Sequence, residues 1–193
     1  MIVNNVPHNE VALRILNAAD TLMAENGVQY LSTHKIAKQA GVSVGTIYLY
    51  FKDKDDLLNQ LVIYLFGQFN QAIEKQYDET LPLFEQYRAL WLAKFEFMSN
   101  NLNIVKNMYQ YESLPQFREL LRHCFESEHL PWNRFIKRGL KQGVIVDLPL
   151  QILYAMSMKV PQDLIYQQLS LDKVYSQQLI EDVILRTWKA IIV

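Results

Sequence analysis

The sequence predicts an all-α protein. Apolar residues recur every three or four positions along almost the whole 193-residue chain, the spacing of one helix face. The recurring runs are separated by Gly, Pro, Asn and Ser, which cap or stop helices. No stretch alternates polar and apolar side chains long enough for a strand; Val144-Ile145-Val146, with Gly143 before it and Pro149 soon after, reads as a connector. With 50% of its residues hydrophobic, the chain can bury a large core and is long enough for a small domain plus a larger one. The expected architecture is an N-terminal three-helix domain over residues 1–53 and a larger helical domain over 54–193.

Residues 1–9 read as a short arm ending in a cap at Asn9, with Glu10 at the positive end of the helix that follows. Val11, Ile15, Ala18, Ala19, Leu22 and Met23 form the apolar stripe of that helix, and Gly27 follows its last turn. Ser32 or Thr33 can cap a second, short helix carrying Ile36, Ala37 and Ala40, which Gly41 stops by permitting a left-handed backbone. Ser43 offers the cap of a third helix, from Val44 to about Phe51. Two short helices about a tight Gly turn make a helix-turn-helix.

The second helix of that motif has two unlike faces. Ile47 and Phe51 lie four apart and bury together, while Gly45, Thr46 and Leu49 fall on another side. The outward set is small enough for a DNA groove: Gly45 allows close backbone approach, Thr46 can hydrogen-bond a base edge, and Leu49 can touch a thymine methyl. Tyr48 and Tyr50 flank that edge, and their hydroxyls, with Lys52 and Lys54, stand where phosphates would pass. His34 is either near phosphate or simply in solvent. From Thr33 to Lys54 four lysines face one acid, Asp53, whereas the whole chain carries a formal charge of −1. DNA affinity would therefore come from this local patch and from using two copies.

Asp53 can cap a long helix with Asp55 and Asp56 in its first turn and Leu58, Leu61, Leu65, Phe69 and Ile73 along one side. Beyond it, helices are expected between breaks near Pro82, 99–101, 113–115, 142–143 and 147–149. The last two helices, about Leu150 to Leu169 and Asp172 to Ile192, are the candidate dimer surface. On the final one, Tyr175, Leu179, Val183, Arg186 and Thr187 trace one face and Ile180, Ile184, Trp188 and Ile191 another. Either both faces are buried inside one subunit, or one meets the same helix pair of a second chain in a four-helix interface, to which Tyr154 would add.

The run from Ile36 to Leu57, IAKQAGVSVGTIYLYFKDKDDL, resembles the DNA-binding signature of the TetR family of bacterial transcriptional regulators across the whole motif. The resemblance implies that Gly45, Thr46, Tyr48, Leu49 and Tyr50 meet the major groove and its backbone, with Lys54 and Thr33 on phosphates. Val44 departs from the charged or polar residue many relatives carry there. The break from Gly139 to Pro149 also resembles the connector before the last two helices of such proteins. The likeness further implies that the larger domain encloses a pocket for a small effector, and that the long helix passes its entry to the DNA-binding head. Trp91, Phe95, Met98, Met108, Tyr109, Phe125, Trp132, Tyr154 and Met158 are the candidate lining, although stripes of this kind are also ordinary core. The expected protein is a cytoplasmic homodimeric repressor that binds palindromic double-stranded operator DNA and is released by a small hydrophobic effector. The alternative is a DNA-binding adaptor whose larger domain meets another protein.

Other classes find little support. Adjacent His123 and Cys124 point about 100° apart on a helix and make no nucleophile–base pair. His123, Glu126 and His129 lack established metal-ligand spacing, and neither a Gly-rich phosphate loop nor a nucleophile elbow occurs, so neither an enzyme nor a cofactor or metal is expected. The single Cys excludes an intrachain disulfide. The N-terminus lacks the pattern of a signal peptide, and no membrane partner is expected.

Overall fold

Caps written into the sequence begin the chain's first helices. In the computed structural model, which describes residues 9–193, the Asn9 side chain accepts from the Val11 N–H at 2.8 Å and starts α1 (Glu10–Asn26). The expected arm therefore lies outside the described residues, apart from Asn9. A single 3-10 turn, Val28–Tyr30, leads to α2 (Thr33–Ala40), α3 (Val44–Tyr50) and the long α4 (Lys54–Gln76). Then follow α5 (Leu83–Asn100), α6 (Leu102–Glu112), α7 (Pro115–Glu126), α8 (Pro131–Lys141), α9 (Leu150–Met156), α10 (Val160–Leu171) and α11 (Gln177–Lys189). No β-strand forms among the described residues; Ile145 and Ile192 make one isolated antiparallel bridge.

The helices pack into two units. The first gathers the chain up to Gln68 with Leu102–Leu121. Its core is the inward face of α1 (Ala12, Ile15, Leu16, Ala19, Met23) with Ile36, Ile47, Phe51, Leu57 and Leu61, all buried. Val11 and Leu22, expected in the stripe, are half-buried at its margins, and Ala12 and Leu16 complete it. Removing each large side chain from water is worth about 1.5–3 kcal/mol, which is what holds helices as short as α2 and α3 in place. Asp20 is also buried on this face. α6 explains it: Asn107 donates to the Asp20 carboxylate at 2.8 Å and to its carbonyl at 2.9 Å, and the Tyr111 hydroxyl donates a short hydrogen bond to the same carboxylate. Burial and then the Asp20 charge push the Tyr111 hydroxyl well above the ordinary phenol range. Gln110 adds two links, donating to the Met23 carbonyl and accepting from the Val28 N–H at 2.6 Å. Packing thus divides the chain differently from the cut at residue 53 drawn from the motif, because α6 carries the partners of Asp20.

The second unit comprises Phe69–Asn101 and Arg122–Val193. Tyr87 lies at its centre with Trp188 at 5.3 Å and Phe135 at 6.1 Å between ring centroids, and its hydroxyl donates to Thr187 Oγ1 at 2.7 Å. Trp91, Leu90, Leu153, Ile184 and Ile191 fill the space around them. The Val144–Val146 connector pairs with the C-terminus: the Val146 N–H donates to the Ile191 carbonyl and the Val193 N–H to the Val144 carbonyl, both at 3.0 Å. Gly139 leaves room for this strap, since a Cβ there would stand 2.6 Å from Ile145 Cγ1.

Three helix boundaries differ from expectation. α7 and α8 are separate, because Asn133 folds back to donate to the carbonyls of Cys124 and Ser127 at 2.7 and 2.6 Å and Pro131 opens a new helix. The single helix expected over 150–169 breaks at 157–159, since Pro161 has no N–H for the preceding turn. α11 begins at Gln177 rather than near Asp172, where Ser176 caps it by accepting from the Leu179 N–H.

Candidate functional site

The helix-turn-helix is built from local hydrogen bonds. Ser32 accepts from the Lys35 N–H and starts α2; Gly41, at φ 66° and ψ 38°, ends it with its N–H on the carbonyls of Ala37 and Lys38. Such a left-handed turn suits glycine. Ser43 then accepts from the Thr46 N–H at 3.0 Å and shares a 2.8 Å hydroxyl–hydroxyl contact with the Thr46 side chain. The cap therefore also orients the threonine expected at a base edge.

Ile47 and Phe51 are buried as expected. That inward pair fixes the outward face of α3, where Tyr48 is 53% and Leu49 81% exposed. Gly45 is exposed too, and a Cβ built on it would meet only Ser43 Oγ, at an ordinary 3.6 Å. Nothing inside the fold requires glycine or an apolar Leu49 here. Tyr50 is half-buried, its ring 6.4 Å from that of Phe51. Beyond the helix, the Lys52 N–H donates to Asp56, while the Asp53 side chain accepts from the Asp56 N–H at 2.8 Å and caps α4. Lys52, Lys35, Lys38 and His34 are exposed, Thr33 and Lys54 half-buried, and the Lys54 ammonium reaches the Leu31 carbonyl at 3.5 Å. Tyr30 was not anticipated. It is 60% exposed, with the Lys35 ammonium 5.8 Å above its ring. It lies in the turn before α2, outside any helical periodicity that could have flagged it.

The second unit gathers most of the aromatic residues singled out from sequence. Trp91 stacks on Phe95 at 5.6 Å, and Tyr154 meets Phe125 at 5.7 Å and Trp132 at 6.0 Å, both edge-on. Met98 and Met158 are buried. Met108 and Tyr109 do not join them: they lie on α6 in the first unit, where Ile104, Val105, Asn107 and Tyr111 take the inward face and leave Tyr109 63% exposed. The sequence reading passed over Lys94, which is 1% exposed. Its ammonium donates to the Tyr154 hydroxyl at 2.7 Å and lies 4.7 Å from the Tyr154 ring centroid and 5.9 Å from that of Phe69. A charge removed from water costs on the order of several kcal/mol, of which contacts with ring faces recover a part. Its position among apolar neighbours at helical spacing is the one signal that marked it.

Of the expected dimer residues, Leu179 is 45% exposed, Arg186 exposed, and Tyr175 and Val183 half-buried. Thr187 and Tyr154 are engaged within the unit. Thr187 turns inward, about 100° past Arg186, to accept from Tyr87, and Tyr154 is half-buried with its hydroxyl accepting from Lys94. Tyr166, Leu169 and Leu171 on α10 and Leu185 on α11 are exposed apolar side chains that the reading did not name. Cys124 is half-buried, and burial pushes its thiol up to about 12. Among the described residues no group of His, Cys, Asp or Glu side chains could hold a metal ion, and no helix is long and apolar enough to cross a membrane.

Residues 15–61 match the family described as bacterial regulatory proteins, tetR family, and residues 82–192, more than half of the chain, match the tetracyclin repressor-like C-terminal domain. The chain belongs to the TetR family. It is 40% identical over 182 residues to an HTH-type transcriptional regulator of Haemophilus influenzae, covering 94% of this chain and 96% of that protein. The crystal structure of a TetR-family transcriptional regulator from the same organism superposes with a TM-score of 0.87 at 38% identity, over 95% of this chain and 97% of that one. The fatty acid metabolism regulator protein of Bacillus subtilis is 32% identical over 135 residues, 69% of this chain and 70% of that protein. TetR-family proteins are DNA-binding transcriptional regulators rather than enzymes, and the exposed face of α3 lies within the TetR motif itself.

Proposed function

We propose that this chain is a ligand-responsive repressor. Two copies place their helix-turn-helix regions, residues 1–53, in adjacent major-groove faces of a roughly palindromic operator, about one helical turn apart or more. Residues 54–193 bind a small hydrophobic effector and form the dimer, and the protein works in the cytoplasm. The observation that carries the reading is the outward face of α3: exposed Leu49 and Tyr48 beside a glycine that the fold does not require. On DNA, Gly45 allows the backbone close, Leu49 meets a thymine methyl, and Tyr48, Tyr50, Lys52 and Lys54 hold phosphates, with Thr33 and Tyr30 at the margin. The similarity to a fatty acid metabolism regulator supports an acyl or otherwise apolar effector. α4 contributes to both packing units as one unbroken helix, so it is the element through which effector entry would free the DNA. Binding linkage then requires DNA to weaken effector binding by the same factor.

The test is fluorescence anisotropy of the purified protein on DNA from upstream of its own gene and on scrambled DNA, across a salt series. Salt-sensitive binding that prefers the upstream DNA by about 10³-fold or more is expected. Equal, weak binding to this DNA and to DNA upstream of every neighbouring gene would defeat the repressor reading.

A further inference from the structure

We propose that Lys94 anchors the head group of the effector, and that this effector is an apolar compound ending in a carboxylate. The inference rests on the effector reading above and narrows it from "hydrophobic" to "hydrophobic with one buried negative charge". Cations of the second unit that carry an ion pair do so where water still reaches them: Arg88 pairs with Glu181, Arg134 with Glu74 and Glu79, and the largely exposed Lys137 with Glu128. Lys94 is more deeply buried than any of these, and no carboxylate pairs with it among the described residues. An ammonium has three protons to donate, and the Tyr154 hydroxyl takes one.

The surroundings repeat the same imbalance. The indole N–H groups of Trp91 and Trp132 are buried without an acceptor. Trp91 lies three residues before Lys94 on α5, and the Trp132 ring abuts Tyr154. Tyr154, having accepted from Lys94, still has its own proton to give. Around Lys94 there is therefore a positive charge with donors in excess, set beside the rings of Phe69 and Tyr154, with Trp132 and Phe125 packed on Tyr154 in turn. Buried donors left unmatched are costly, and an ionised carboxylate, which only accepts, is a small group that would answer the charge of Lys94 and take up its free protons. An apolar tail suits the rings around it.

Calorimetric titration of the full-length protein with laurate and methyl laurate, and with 4-phenylbutanoate and its methyl ester, tests this below the aggregation concentration of each. The acid of at least one pair should bind about tenfold or more tighter than its ester. In Lys94→Met, the preference should shrink to within about twofold while the ester's own affinity is kept or improved. Lys94→Gln serves if the first variant does not fold, and the comparison in the unaltered protein needs no variant. Acid and ester binding equally, or an acid preference that Lys94→Met leaves intact, overturns the anchor while leaving a hydrophobic effector in place. Failure of all four probes to bind protein that still recognises its operator defeats the anchor, and a wider neutral-ligand screen then decides the effector reading separately.

Discussion

At the scale of single residues, side chains that internal packing does not account for locate the sites. Leu49 at 81% exposure and Gly45, where a Cβ would meet only Ser43 Oγ at an ordinary distance, are both unfavourable choices for a solvent-facing helix: one leaves apolar surface in water, the other costs backbone entropy. Gly45→Ala should therefore raise the stability of the free protein by up to about 1 kcal/mol. At the same time it should weaken operator binding by about tenfold or more, since the added methyl holds the backbone away from the groove. Thermal melting paired with anisotropy checks both halves. A variant that is more stable and binds DNA undiminished would remove Gly45 from the interface. Lys94 belongs to the same class of residue, its charge unexplained by its own unit.

At the scale of elements, polar contacts decide what α1 packs against. Its buried face would be wholly apolar but for Asp20, and α6 supplies both side chains that satisfy that carboxylate. Specificity follows from this: a sliding or rotated α6 would leave Asp20 unpaired in the interior, whereas a purely apolar contact would tolerate the shift. Tyr111→Phe keeps the ring and removes the donor. It should cost about 1–3 kcal/mol in urea unfolding, with Asn107 still holding one side of the carboxylate. A loss below about 0.3 kcal/mol would mean that Asp20 does not depend on Tyr111. Shorter elements are governed by caps and breakers instead. Ser43 sets the start of α3, and Pro161 separates α9 from α10.

At the scale of the whole molecule, the faces of α10 and α11 left outside carry Tyr166, Leu169, Leu171, Leu179 and Leu185, all exposed and apolar. The inner face of α11 is complete without them, as Ile180, Ile184, Trp188 and Ile191 are buried in the second unit. Two copies would cover these outer faces. Light scattering at micromolar concentration should accordingly give twice the 22.7 kDa chain mass, and Leu179→Lys with Leu185→Lys should shift it toward one. A single-chain mass for the unaltered protein would exclude the dimer, and with it the simultaneous use of two half-sites.

Helical class, the helix-turn-helix and its outward residues were legible in the sequence because they depend on local physics: capping hydroxyls, a left-handed glycine, and a period that puts Ile47 and Phe51 on one side and Leu49 on the other. The breaks at 127–130 and 157–159 were less so, since the first depends on Asn133 reaching back to two carbonyls and the second on whether neighbouring packing lets a helix continue through proline. Tertiary structure alone decided that α6 packs on α1, that Thr187 turns inward, that Met108 and Tyr109 stand apart from the aromatic cluster, and that Lys94 is buried within it. Each depends on partners far along the chain, Asp20 with Tyr111, Tyr87 with Thr187 and Lys94 with Tyr154, and helical periodicity records which face is apolar but not which distant residue that face will meet.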